Sequence, residues 1–281
     1  MKRVLVGLVL LGAATNAAKA EIWKHFAMTP AGSDLEIDSQ HRVYTSAANR
    51  GIWRYELNGQ GWQWADAKIG KFVLKPNGEA IALPWCNETD SVPICNKPLR
   101  SVAPDGTVTR LSGKNLYYER IALNNNGDPV AVQFPTRRGA TFWYLNKRGV
   151  RVGRIDTPLH ADEIVRANNG TLYSATYSTG QILLVDIHSP KQVQEIMKIS
   201  GVGLSVPHMT KGPDKTLLIS YTRTSGSQLF QIDLEKKRYR LLATLSLVVT
   251  GVAYDDELDR FYIRSPSSIQ YKVLGTRRDA H

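Results

Sequence analysis

Short runs of alternating apolar and polar residues follow one another along almost the whole chain after residue 21, and helical periodicity is nearly absent. In six places an apolar run is followed by a turn containing Gly, Asn, Asp or Pro and then by further apolar runs. These six segments begin at residues 34–38, 71–75, 120–124, 163–167, 208–211 and 251–255. The segments recur at intervals of about 37 to 49 residues. The pattern therefore predicts repeated units built from short strands.

A repeat of this length with up to four strands is typical of a β-propeller blade, so the sequence predicts an all-β, six-bladed propeller. The two ends of the chain agree with this interpretation. The last repeat contains only three predicted strands, and the apolar segment 22–28 supplies a spare strand near the N-terminus. If that strand completes the last blade, the ring closes and its open edges disappear. Five or seven blades are the alternatives.

Two of the repeats carry the clearest turn-and-strand pattern. Residues 213–220 read Pro-Asp-Lys-Thr-Leu-Leu-Ile-Ser, and residues 168–173 read Asn-Asn-Gly-Thr-Leu-Tyr. This pattern resembles six-bladed propellers of the NHL-repeat and gluconolactonase/senescence-marker group. The resemblance implies the fold, and its gluconolactonase branch implies a metal-dependent lactonase. That family takes a metal-binding glutamate from a Glu-Gly-Pro in its first blade, whereas residues 33–38 here read Ser-Asp-Leu-Glu-Ile-Asp, so no metal-site residue carries over.

The first twenty residues predict a cleaved signal peptide. A basic start is followed by an apolar run of about eleven residues and by Ala18-Lys19-Ala20, a small-x-small cleavage pattern. We therefore expect residues 21–281 to form a single exported domain, periplasmic or secreted. The apolar run is shorter than the roughly 20 residues that span a bilayer, and no later segment is longer, so we expect no membrane span.

Charge and cysteine content narrow the classes of partner. The chain has a formal charge of +11, which falls to +8 without Lys2, Arg3 and Lys19. Because the basic residues are scattered and the chain is predicted to be exported, we expect no nucleic acid partner. We expect the partner to be an envelope or extracellular protein, or a small molecule. Cys86 and Cys95 flank a loop and predict a structural disulfide in an oxidising compartment.

The positions where the six inner strands begin supply the candidate site. In a propeller the innermost strands line the central channel, so the residues at their starts ring one mouth. Five ionisable side chains at these positions could converge there: Asp34, Glu119, His160, Asp162 and His208. Imidazole and carboxylate ligands suit a divalent metal, calcium or zinc, and they also suit acid–base catalysis. Polar residues at hydrated loops without a special role are the third interpretation.

Two tryptophans form a second candidate surface. Trp62 and Trp64 lie two residues apart, so on a strand they share a face. Such a pair could stack on a sugar or anchor a partner protein, or it could fill the space between neighbouring blades.

The sequence as a whole predicts an exported propeller that recognises a protein or small-molecule ligand at one mouth of the ring. We expect a non-catalytic binding protein without a resident cofactor. The alternative hypothesis is a metal-dependent hydrolase of small lactones or esters that uses the five clustered residues. The sequence does not predict an oligomeric state.

Overall fold

The computed structural model describes residues 23–47, 50–84, 98–111, 118–133, 139–177, 179–186 and 193–276. Every regular element in these ranges is a β-strand. The predicted signal peptide and the predicted Cys86–Cys95 disulfide lie outside the described residues, so both stay predictions. In the described part of the chain, no helix is long and apolar enough to cross a membrane.

The strands follow one another in regular groups. The first twelve strands are β1 Lys24–Met28, β2 Glu36–Ile37, β3 Val43–Ala47, β4 Gly51–Tyr55, β5 Gly61–Ala65, β6 Ile69–Leu74, β7 Ala80–Pro84, β8 Arg100–Val102, β9 Val108–Arg110, β10 Arg120–Leu123, β11 Pro129–Gln133 and β12 Ala140–Leu145. The next twelve are β13 Arg151–Thr157, β14 Glu163–Arg166, β15 Leu172–Ala175, β16 Gln181–Val185, β17 Val193–Lys198, β18 Val206–Lys211, β19 Thr216–Arg223, β20 Gly226–Asp233, β21 Arg238–Leu245, β22 Gly251–Asp255, β23 Arg260–Arg264 and β24 Ser268–Val273.

These strands form six four-stranded antiparallel sheets, so the protein is a six-bladed β-propeller, as predicted. Five blades take four consecutive strands, starting with β2, β6, β10, β14 and β18. The sixth blade has the order β1-β24-β23-β22, in which the N-terminal strand pairs antiparallel with the C-terminal one. The predicted closure by a spare N-terminal strand is therefore confirmed. Closure at this point pairs the edge of β24 that would otherwise be exposed.

The hydrophobic core is divided among the contacts between blades. Each of the six clusters of buried apolar side chains joins one pair of neighbouring blades, and together they run around the whole ring. A blade therefore buries both faces, which explains why second strands such as β3, β7, β11 and β15 are buried at consecutive positions. All five residues of β3 are buried, whereas β21, the outermost strand of the fifth blade, is largely exposed.

The channel has two different mouths, which the turns of the inner strands define. The start mouth is the end at which β2, β6, β10, β14, β18 and β22 begin. The turn mouth is the opposite end, where a turn leads from each inner strand to the second strand of its blade. In the second blade this turn is Pro76-Asn77-Gly78, in which Gly78 adopts a φ of 81° and the Asn77 side chain accepts a hydrogen bond from the backbone of Glu79. Turns of this kind fix the register of each inner hairpin.

Candidate functional site

The central channel contains a cavity of about 670 Å³, lined by the inner strands of all six blades. Toward the start mouth, its described lining ends with one residue from each blade: Asp34, Lys71, Arg120, Glu163, His208 and Gly251. No residue just before these in the chain belongs to the described lining. The lining continues through the turns after these strands, including His41, Pro76 and Asn168. The cavity therefore extends to the turn mouth and ends at the level of the strand starts.

Alternation along the inner strands arranges the channel residues in three layers, because every second residue occupies an equivalent position. The start layer consists of Asp34, Lys71, Arg120, Glu163, His208 and Gly251. The middle layer consists of Glu36, Val73, Ala122, Val165, Thr210 and Ala253. The turn layer includes Asp38, Lys75, Ala167 and Asp255.

The start layer is a network of charged groups that crosses the channel. Lys71 Nζ lies 3.2 Å from Asp34 Oδ1 and 3.5 Å from Glu163 Oε2, so it links the first, second and fourth blades. Arg120 Nε of the third blade lies 3.6 Å from Glu163 Oε2. The backbone N–H of Phe72 donates to Asp34 Oδ2 over 2.8 Å. These contacts form a charged floor at one end of the cavity.

Gly251 is the sixth member of the start layer, and its lack of a side chain has a structural reason. A Cβ atom there would lie 2.9 Å from the backbone carbonyl carbon of Asp34, which is closer than real Cβ contacts allow. The backbone N–H of Asp34 donates to the carbonyl of Thr250 over 3.2 Å. The glycine therefore permits the close approach that places Asp34 beside Lys71.

Two buried nitrogen atoms of the floor have no hydrogen-bond partner among the described residues. Arg120 Nε and His208 Nδ1 lie 3.6 and 3.8 Å from Glu163 Oε2, distances that suit ion-pair contact but exceed a hydrogen bond. Burial, together with the positive charges of Lys71 and Arg120, lowers the pKa of His208 well below its ordinary value. Burial raises the pKa of Glu163, although Lys71 and Arg120 oppose the rise. The floor thus retains unused hydrogen-bonding capacity.

The middle layer is mostly apolar and contains one acidic group. Val73, Ala122, Val165 and Ala253 face the cavity with small or branched aliphatic side chains. The side chain of Glu36 makes no hydrogen bond or ion pair with the described residues. Burial is the main reason that the pKa of Glu36 lies well above its ordinary value of 4.5, and Asp34 adds to the rise. We call this layer the belt.

The acidic and basic side chains of the turn layer are already paired. Asp38 Oδ2 accepts from the Arg42 side chain over 2.6 Å. Lys75 Nζ lies 2.9 Å from Glu79 Oε2, and His41 Nδ1 lies 2.8 Å from Asp255 Oδ2. These groups therefore satisfy one another's charges. A molecule that enters from the turn mouth would pass this paired layer before it reaches the belt and the floor.

Replacing Glu36 by Gln should remove a stability loss that develops as the pH rises. A carboxyl with a raised folded-state pKa stabilises the fold below its unfolded pKa, near 4.5, and that contribution is lost as the pH rises through the folded pKa. Glu36→Gln has nearly the same shape and no charge, so we expect it to exceed wild type by about 1–3 kcal/mol at pH 8 and by much less at pH 5.

Urea unfolding at pH 5, 6, 7 and 8 measures this difference. Glu235→Gln is the control because the side chain of Glu235 is 61% exposed and pairs with Lys215 at the surface. The control should differ from wild type by less than about 0.5 kcal/mol at every pH. A stability difference between Glu36→Gln and wild type that stays constant across this range would contradict the prediction.

The structure brings together only part of the cluster predicted from sequence. Asp34 and His208 both line the cavity, Asp34 beside Lys71 and His208 beside Glu163. Glu119, His160 and Asp162 are outside its described lining. The Asp162 carboxylate instead accepts a hydrogen bond from the backbone of Tyr177.

Three residues that complete the floor were not selected from the sequence. Lys71, Arg120 and Glu163 each begin or follow the start of an inner strand, and each belongs to a segment that the repeats had identified. The available signal was their position in the repeat, since each is equivalent to Asp34 and His208. Lys71 and Arg120 do not belong to a pattern of imidazole and carboxylate groups, which is the pattern that indicates a metal site or acid–base catalysis.

The two tryptophans of β5 lie on one face of the first blade in different surroundings. Arg54, the cross-strand partner of Trp62, places its guanidinium 4.4 Å from the centroid of the Trp62 ring, and Trp62 is 41% exposed. Trp64 is buried against Tyr44, with ring centroids 5.0 Å apart, and its Nε1–H donates to the carbonyl of Pro104 in the second blade over 3.0 Å. Trp64 therefore fills space between two blades, whereas Trp62 lies at the surface.

The channel residues do not fit a divalent metal. Among the described residues, no group of three or more His, Cys, Asp or Glu side chains could hold an ion. In the start layer, the two cations Lys71 and Arg120 lie within 3.6 Å of the Glu163 carboxylate and would repel a divalent metal ion there. We therefore derive no metal-dependent step at this site.

Comparisons with known proteins place this fold among propellers. No protein-family model and no curated protein matches the chain. A luciferin-regenerating enzyme is similar in structure, with a TM-score of 0.66, 12% identity, and coverage of 92% of this chain and 98% of that one. A putative gluconolactonase has a TM-score of 0.62 and 12% identity, with coverage of 91% of this chain and 93% of that one. A virginiamycin B lyase from Staphylococcus aureus has a TM-score of 0.53 and 13% identity, with coverage of 89% of this chain and 94% of that one. These likenesses show the fold alone, and they confirm the resemblance to six-bladed propellers.

Proposed function

We propose that this protein is a non-catalytic binding protein that holds a small organic ligand in its channel, which the ligand enters from the turn mouth. One observation carries the proposal. A cavity of about 670 Å³ ends at a floor where Arg120 Nε and His208 Nδ1 are buried and find no hydrogen-bond partner in the part of the chain that the structure describes. Pockets for small ligands typically measure about 300–1,000 Å³, and buried polar groups in folded proteins are normally paired. A ligand that supplies an acceptor would satisfy Arg120 Nε, and also His208 Nδ1 where that nitrogen carries the ring's hydrogen.

The arrangement of charge supports binding more than catalysis. The carboxylates of the floor are held by Lys71, Arg120 and a backbone N–H, and the acidic and basic groups of the turn layer are paired with one another. Hydrolysis would need a nucleophile or an activated water opposite a group that stabilises the developing charge. The described channel residues offer no such arrangement for the lactonase alternative.

Thermal unfolding with small molecules tests the proposal. The probes are hexanoate, glucose, γ-butyrolactone, AMP and spermidine, each at millimolar concentration, so that acids, sugars, lactones, nucleotides and amines are all represented. A ligand at 100 times its Kd stabilises by about 2.7 kcal/mol. For a domain of this size we expect such a ligand to raise Tm by roughly 5–10 °C.

A pair of matched variants tests whether the ligand binds inside the channel. Val165→Trp adds a large ring to the belt, whereas Val152→Trp adds the same ring to the outermost strand of the third blade, where Val152 is 65% exposed. We expect the Tm increase in wild type and Val152→Trp and not in Val165→Trp. Thr210→Phe replaces Val165→Trp if the latter does not fold. The proposal fails if no probe raises Tm, or if the increase survives in the blocked channel.

A further inference from the structure

We propose that the ligand of the channel is a small monocarboxylic acid, with its carboxylate on the floor and a short apolar chain in the belt. This inference rests on the proposed function and adds the chemical class of the ligand. It follows from the order of chemistry along the cavity, in which paired charges at the turn mouth give way to aliphatic side chains and then to a floor with unused donors.

The floor favours an acceptor as the ligand's head group. The Asp34 carboxylate is already satisfied by Lys71 and by the backbone N–H of Phe72. The buried nitrogen Arg120 Nε carries a hydrogen and has no hydrogen-bond acceptor among the described residues, and neutral His208 can donate from one of its ring nitrogens. A carboxylate presents two acceptor oxygens in a plane and suits a guanidinium donor well. A ligand ammonium would instead meet Lys71 and Arg120.

The balance of charge limits the head group to a single negative charge. Lys71 and Asp34 compensate each other, which leaves Arg120 beside Glu163. A proton taken up by Glu163 as the ligand carboxylate binds would leave the Arg120 charge for the ligand, and burial, which raises the pKa of Glu163, acts in this direction. A doubly charged phosphate would exceed the one positive charge that this leaves and would also face Asp34. The positive net charge of the chain attracts anions in general.

The belt defines the rest of the ligand. Four of its six members, Val73, Ala122, Val165 and Ala253, are aliphatic, and the two alanines leave room beside the larger valines. Each layer spans two residues, or about 7 Å along the strand. A chain of several methylene groups between the floor and the turn mouth would therefore contact apolar side chains. When it is protonated, the Glu36 carboxyl, whose pKa burial raises, can donate a hydrogen bond to the carboxylate.

Titration calorimetry with four probes tests this chemical class. Butyrate and hexanoate differ only in chain length, and we expect the longer chain to bind more tightly, by up to about fourfold for each added methylene. Hexan-1-ol keeps the chain without the carboxylate, and hexylamine replaces it by a cation. Both should bind at least about tenfold more weakly than hexanoate, because they lose a charge-assisted hydrogen bond to the floor.

Two arginine variants connect the affinity to the floor. Arg120→Met removes the donor with little change in volume, and we expect it to weaken hexanoate binding at least about tenfold. Arg154→Met is the matched control, because the side chain of Arg154 is 61% exposed on β13, and it should bind hexanoate within about twofold of wild type. Circular dichroism and the Tm of the unliganded variants show whether each one is folded.

The outcomes separate this inference from the proposed function. If hexan-1-ol or hexylamine binds as tightly as hexanoate, or if Arg120→Met leaves hexanoate binding unchanged, the monocarboxylate inference is wrong. If glucose, γ-butyrolactone, AMP or spermidine binds and Val165→Trp abolishes that binding while hexanoate does not bind, the channel is a binding site for another class. If Val165→Trp affects no probe, both the inference and the proposed function fail.

Discussion

Arg264→Met should destabilise the folded protein by about 3–5 kcal/mol, the cost typical of breaking a buried charged network. Arg264 is at the end of β23 and is completely buried. Total stabilities of domains are about 5–15 kcal/mol, so one substitution would remove a large part of the margin.

The reason is that Arg264 holds the segment that closes the ring. Residues 29–35 lead from β1 in the sixth blade to β2 in the first. The guanidinium of Arg264 donates to the carbonyl of Gly32, to the carbonyl of Pro30 over 2.6 Å and to Thr250 Oγ1 over 2.9 Å. Burial lowers the pKa of Arg264 to about 10, so the side chain remains charged at neutral pH. Methionine would fill most of the volume and remove the donor of all three hydrogen bonds.

Urea unfolding at pH 7 measures the loss, and two further variants test its cause. Arg264→Lys keeps the charge without the planar fork and should recover only part of the stability. Arg260→Met, on the same strand, removes a guanidinium that lies 4.7 Å from the ring of Tyr271 and should cost about 1 kcal/mol. A loss below about 1 kcal/mol in Arg264→Met would show that the closing segment is held by other contacts.

The fold could be predicted from the sequence because its repeat is regular. Each blade contributes an apolar inner strand followed by a turn such as Pro76-Asn77-Gly78, and this pattern depends only on local chemistry. The closing strand could be predicted because the last repeat lacks one strand and residues 22–28 supply one. Both features follow from counting strands, which needs no knowledge of contacts.

At two of the six strand starts the site could be predicted only to within one residue. At two strand starts, Glu119-Arg120 and Asp162-Glu163, two neighbouring residues are ionisable. Neighbouring residues of a strand point in opposite directions, so the channel receives one residue of each pair. The choice depends on register, which hydrogen bonds such as Glu119 N–H to the Val132 carbonyl determine and which the sequence pattern does not fix.

Long-range contacts account for what could not be predicted. No feature of the local sequence marks Arg264 as buried, since its acceptors at Pro30 and Gly32 are more than 230 residues away in the chain. The same holds for the contact of Lys71 with Glu163 across the channel. Such pairs become neighbours only when the ring closes, so a periodic pattern can locate the layer without revealing which charges meet in it.

Trp64→Ala and Trp62→Ala should differ in stability although the two residues are two positions apart on one strand. Trp64 is 7% exposed, belongs to the cluster between the first and second blades, and donates a hydrogen bond to Pro104. Truncating a buried aromatic side chain typically costs about 3–5 kcal/mol, because apolar contacts are lost and a cavity remains. Trp62 loses mainly its contact with Arg54 at the surface, so we expect less than about 1 kcal/mol there.

Urea unfolding of the two variants, with Trp64→Phe as a third, separates packing from hydrogen bonding. Phenylalanine keeps much of the ring volume near Tyr44 and loses the Nε1–H donor to Pro104, so its cost should lie between those of the two alanine variants. Similar losses in Trp62→Ala and Trp64→Ala would contradict the division between a surface ring and an interblade ring. A small loss at Trp62 together with a large one at Trp64 leaves Trp62 as the tryptophan of this pair that a partner could contact without disrupting the fold.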